Sequence, residues 1–105
     1  MRYWLIGFLL LASVPAQAKQ HRVSLTWTAS AGCPNGCTIT GYYVYRAWKR
    51  PGPFTRITPA PLTTLFYTDK NVQAGQTVYY VVTAIDSAGV ESQFSDEKKA
   101  VVPWR

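Results

Sequence analysis

The side chains of this chain that could do chemistry are few: two cysteines, one histidine, five carboxylates, and a set of tyrosines interleaved with basic residues. Cys33 and Cys37 bracket Pro34-Asn35-Gly36. Asn-Gly favours a tight turn that brings the two thiols together. The pair reads as a disulfide closing a small ring, worth about 2 kcal/mol by loop closure. Its spacing differs from the Cys-x-x-Cys of thioredoxin-like redox motifs. Two thiols and His21 are too few ligands for a closed zinc site.

Catalysis has little to draw on. Ser87 and Ser92 lack the Gly-x-Ser-x-Gly setting of an activated serine, and His21 stands alone in the sequence. Asp69 and Asp86 fall at strand ends, where aspartate caps turns. Nothing in the spacing of Asp69, Asp86, Glu91, Asp96 and Glu97 implies two carboxyls about 5 Å apart with divided pKa values. An enzyme is the least supported reading, and no cofactor or metal is expected.

The aromatic residues depend on the strands that carry them. Thr77–Asp86 reads TVYYVVTAID, dominated by β-branched and aromatic residues. Alternation turns Tyr80, Val82 and Ala84 to one face and Tyr79, Val81 and Ile85 to the other. Thr40–Arg46 alternates likewise, with Tyr42 and Val44 opposite Tyr43 and Tyr45. If the first set of each strand faces a core, the second sets form one aromatic-aliphatic face: Tyr43, Tyr45, Tyr79, Val81 and Ile85, with Trp48 at its end. Arg46, Lys49 and Arg50 form a basic rim. Tyr, Trp and Arg dominate binding hot spots, and contiguous apolar patches are seldom exposed without use. The competing reading is that cross-strand aromatics only stabilise the sheet, or that Phe54–Ile57 and the C-terminal segment cover them.

Other strands are Val23–Trp27, Phe54–Ile57, Thr64–Thr68 and Ala100–Val102. They are separated by the loop Ala29–Thr38, the turn Lys49-Arg50-Pro51-Gly52-Pro53, Val72–Gly75 and Asp86–Gly89. Several short strands between turns read as an antiparallel sandwich of about six to seven strands. At 105 residues the chain holds one domain. Met1–Ala18 reads as a secretory signal peptide, with Arg2, the apolar run Leu5–Val14, Pro15 and the small-x-small pattern Ala16-Gln17-Ala18. The apolar run is about half what a membrane-spanning helix needs. Its removal leaves Lys19–Arg105, with ten Lys/Arg against five Asp/Glu and hence a net charge of +5. Such a balance speaks to solubility and non-specific association, and nucleic acid is not an expected partner of an exported chain.

Val23 to Pro103 resembles a fibronectin type III domain, an immunoglobulin-like β-sandwich, in its short exported bacterial form. The matching segments are VSLTWTAS around Trp27, GYYVYR (Gly41–Arg46), FYTD (Phe66–Asp69), VQAG, and VVTAIDSAGVES (Val81–Ser92). The resemblance implies a non-catalytic binding or adhesion module, secreted or periplasmic, with a protein or polysaccharide of the envelope or extracellular space as partner. Two departures stand out. Only Lys19, Gln20 and His21 precede Arg22 after the expected cleavage, so the family's strand A is expected to be absent or replaced by another segment, leaving strand B (Val23–Trp27) with an open edge if nothing replaces it. That edge supports an alternative, structural role in which another strand pairs with it, including self-association. Val78 stands where the family places its corner tyrosine, which removes one hydrogen bond worth about 1 kcal/mol.

The export and disulfide expectations share one check. Intact mass of the exported protein should correspond to cleavage after Ala18 and to the loss of two hydrogens at Cys33 and Cys37; a full-length or fully reduced mass contradicts them.

Overall fold

A computed structural model describes residues 21–30 and 36–104. The segment Met1–Ala18, expected to be a signal peptide, and Cys33 lie outside the described residues. Cys37 lies within them and is not a free thiol.

Among the described residues, six strands form two antiparallel sheets: β1 (Val23–Thr26), β2 (Ile39–Ala47), β3 (Thr55–Arg56), β4 (Phe66–Asp69), β5 (Thr77–Asp86) and β6 (Lys98–Val101). β1 pairs with β4, and the second sheet runs β3-β2-β5-β6. The long β2–β5 ladder is the spine, pairing Tyr42 with Ala84, Val44 with Val82 and Arg46 with Tyr80. Its inward residues, Tyr42, Val44, Val78, Tyr80, Val82 and Ala84, pack on Val23, Leu25 and Trp27 from the other sheet. Alternation therefore assigns the core as the sequence predicts, and Val78 serves it as a fully buried aliphatic residue. Among the described residues, no strand pairs with the second edge of β1.

One boundary moves. The strand expected at Thr64–Thr68 lies at Phe66–Asp69, in register with β1 so that Leu25 faces Tyr67 and Val23 faces Asp69. Asp69 thus enters the ladder as well as capping the next turn, where its carboxylate accepts from the Asn71 N–H at 3.0 Å. Asp86 caps as expected: its Oδ1 accepts from the N–H groups of Ala88 and Val90, both at 2.9 Å. Gly89 closes that turn at φ 81°, in the left-handed region where glycine has no steric penalty.

Beyond Gly89 the chain runs back along β5, but not as a regular strand. Ser92 N–H donates to the Ala84 carbonyl at 2.8 Å, and Ser92 Oγ accepts from the Ala84 N–H at 2.9 Å. Ser95 treats Val82 in the same way, at 2.9 and 2.8 Å. Each serine thus satisfies both backbone groups of one β5 residue. From Ala84 to Val82 is two residues, whereas Ser92 to Ser95 is three, so the returning segment carries an extra residue, as a bulge does. The same offset recurs before Lys98 meets Tyr80 at the start of β6. On the far side of the spine, the Thr58 hydroxyl accepts from the Val44 N–H at 3.2 Å, while Ile57 N–H donates to the Val44 carbonyl at 2.9 Å. Thr58, Ser92 and Ser95 are all buried. Buried backbone donors need partners, and here hydroxyls supply them where neighbouring carbonyls have moved out of register.

Removing such a hydroxyl orphans a buried N–H. Ser95→Ala should destabilise the domain by about 1–3 kcal/mol, seen as a lower urea midpoint at unchanged slope. An unchanged midpoint would show that the Val82 N–H finds another partner.

Candidate functional site

The outer face of the β2–β5 ladder is built by register. Gly41 pairs with Ile85, Tyr43 with Thr83, Tyr45 with Val81 and Ala47 with Tyr79. Tyr43, Tyr45, Tyr79, Val81 and Ile85 therefore share one side, as alternation requires. Their exposure differs from expectation. Tyr43 is only 9% exposed and Val81 3%. Part of the cover is cationic. The Arg56 guanidinium lies 4.1 Å from the Tyr43 ring centroid, and Arg50 lies 5.4 Å from that of Tyr79. Arginine on an aromatic face gains cation–π attraction while its stem shields the ring.

The Phe54–Ile57 segment covers part of this face, as the competing reading expects, with Arg56 on Tyr43 and Phe54 against Phe94; the exposed Phe94 is the residue that sequence reasoning did not place there. Phe94 is 52% exposed. Its ring meets Tyr45 at 5.0 Å and 56°, and Phe54 at 5.6 Å and 62°. Phe94 reaches Tyr45 because the Ser92 and Ser95 rungs hold the returning segment against β5. Glu91 rides on the same segment, accepting a short hydrogen bond from the Tyr45 hydroxyl and another from Thr83 Oγ1 at 2.7 Å. The apolar Phe94 and Phe54 are visible in the sequence. The three-for-two register that brings Phe94 to Tyr45 is not.

The expected basic rim dissolves into separate pairings. Arg46 has the opposite parity to Tyr45 and turns inward, where its Nη1 donates to both carboxylate oxygens of Asp69 at 2.9 and 2.8 Å. Asp69 is 1% exposed and also accepts from the Tyr80 hydroxyl at 2.8 Å. Burial, reinforced by the Asp69 charge and hydrogen bond, pushes the Tyr80 phenol far above its ordinary pKa, so it remains a donor. Trp48, of the same parity as Arg46, lies under its guanidinium at 4.7 Å and leaves the tyrosine face. Arg50 pairs with Glu97 at 2.7 Å. Lys49 has no acidic partner among the described residues. Arg46, Trp48, Lys49, Gly52, Pro53 and Thr55 line a concavity of about 290 Å³ at the β2–β3 turn.

No trio of His, Cys, Asp or Glu among the described residues is placed to hold a metal ion. Among these residues no helix is long and apolar enough to cross a membrane.

The chain has clear relatives. A solved Fn3-like protein from Clostridium thermocellum is 32% identical and superposes with a TM-score of 0.68, over 92% of this chain and 88% of that one. An amylopullulanase from Thermoanaerobacter thermohydrosulfuricus is 34% identical over 70 residues, which is 67% of this chain and 4% of the enzyme. An amylopullulanase from Thermoanaerobacterium saccharolyticum is 31% identical over 84 residues, 80% of this chain and 6% of the enzyme. The chain thus spans a small fraction of either enzyme. No family model matches it.

Titration reports on the outer face. Burial first, then the hydrogen bond and charge of Glu91, push the Tyr45 phenol up to about 12 from 10.0. A phenol whose folded pKa is raised contributes stability that is whole below its unfolded pKa and is lost as pH climbs through the folded one. The window here is about pH 10 to 12. Because burial is the largest cause, Glu91→Gln should lower the Tyr45 pKa only part of the way back. A phenolate absorbance titration comparing the two proteins measures this; identical curves would mean that Glu91 does not govern Tyr45.

Proposed function

The chain belongs to the fibronectin type III family, and from that premise we propose that it is an exported, non-catalytic accessory module of polysaccharide processing. It docks a protein partner through the Tyr45–Phe54–Phe94 face. Export rests on the signal-like Met1–Ala18 segment, and the Cys33–Cys37 disulfide belongs to the same proposal. The polysaccharide setting is supported by the two amylopullulanases, enzymes named for polysaccharide substrates, in which the matched region is a small part of a long chain.

The observation that carries the choice of partner is the tilt of the rings. A sugar chain lying on a flat sheet needs rings roughly coplanar with that sheet. The Tyr45, Phe94 and Phe54 rings are inclined to one another by 56° and 62°. Inclined rings form an apolar knob, the kind of anchor that fills a pocket in a protein partner. Arg50 and Arg56 flank it through their contacts with Tyr79 and Tyr43, giving the polar rim common around such anchors.

Phe94 is exposed, so its replacement leaves the fold standing. Phe94→Ser should abolish capture of a specific envelope or secreted protein by the immobilised domain, with its melting temperature within a few degrees of the parent. Capture that survives the substitution removes this face from the function.

A further inference from the structure

The concavity at the β2–β3 turn is separate from the Phe94 face, and its chemistry is different. Trp48 is 49% exposed. The Arg46 guanidinium stacks over the indole, and Asp69 holds that guanidinium from behind through two hydrogen bonds. The indole is therefore braced by a group that is itself fixed. Gly52 contributes no side chain to the wall, and Pro53 adds a second rigid apolar surface. Thr55 supplies a hydroxyl and Lys49 an ammonium.

The charges are unequal. Arg46 to Arg56 carries four basic residues and no acid. Arg46 is neutralised by Asp69, Arg50 is paired with Glu97, and Arg56 is stacked on Tyr43. Lys49 alone brings uncompensated positive charge to the concavity. At about 290 Å³ the space lies at the lower limit of small-molecule pockets. It suits one or two rings rather than an extended chain.

A half-exposed indole offers a flat apolar surface to the C–H face of a pyranose, and a lone lysine asks for an anion. We infer that this concavity binds a hexuronate residue of an acidic polysaccharide, its ring on Trp48 and its carboxylate at Lys49. The inference takes its polysaccharide setting from the function proposed above. It uses none of the Tyr45–Phe54–Phe94 residues, so either reading can fail alone.

The test is binding of tetragalacturonate and, in parallel, of neutral maltotetraose to the exported, oxidised protein, followed by calorimetry and tryptophan fluorescence. Tetragalacturonate should bind, and raised salt should weaken it. Trp48→Ala should reduce affinity by at least about tenfold, as truncation of a central aromatic anchor does. Lys49→Gln should reduce it by about fivefold and flatten the salt dependence. Phe94→Ser should bind the acidic sugar like the parent, even where it loses the protein partner. Melting temperatures of all three variants check that they are folded. Absence of tetragalacturonate binding, binding unaltered by Trp48→Ala, or equal affinity for maltotetraose would each overturn the assignment.

Discussion

A carboxylate cut off from water sits where the two sheets meet, and much of this domain is arranged around it. Asp69 is buried at the end of β4, and it is held by Arg46 from β2, Tyr80 from β5 and the Asn71 N–H. A buried charge is tolerated only when its partners are complete, and removing one partner of such a pair costs about 3–5 kcal/mol. The network ties β4 to the β2–β5 spine through directional bonds, where the aliphatic core alone would specify only burial. It also keeps Tyr80 as a donor, because ionising that phenol would set a second negative charge against the first.

The same network divides the surface. Because Arg46 turns inward to Asp69, Trp48 follows it and lies under the guanidinium, away from the tyrosines. The aromatic surface is thereby split into a braced indole beside a concavity and an apolar knob on the outer sheet face. The knob owes its position to a second device, the hydroxyl rungs. Ser92 and Ser95 let the returning segment advance three residues for every two of β5 without leaving buried N–H groups unpaired. That slippage brings Phe94 onto Tyr45 and Glu91 onto the hydroxyls of Tyr45 and Thr83. Bulged edges commonly re-aim side chains in this way.

Among the carboxylates, Asp86 caps a turn, Asp69 pairs with Arg46, Glu91 accepts from two hydroxyls and Glu97 pairs with Arg50. The domain's exposed aromatic rings stand on a pre-formed sheet, an arrangement that reduces the entropy lost by any group that associates with them.

Much of this was legible in the residues. A period of two in TVYYVVTAID and GYYVYR separates core from surface, because a strand cannot present adjacent residues to the same side. The inward set Tyr42, Val44, Tyr80 and Val82 and the Asp86 cap follow from such local rules, while the family was legible in the order and spacing of several matching segments. Exposure did not follow from alternation, since Tyr43 and Val81 point outward yet are buried, Tyr43 beneath the Arg56 guanidinium. Nor did the fate of Arg46, whose parity is evident but whose partner lies 23 residues away on another sheet. Alternation is a property of one strand and can be read from its own residues. Coverage, ion pairing and bulged register depend on which strands meet and with what offset, and only the folded packing of both sheets sets those.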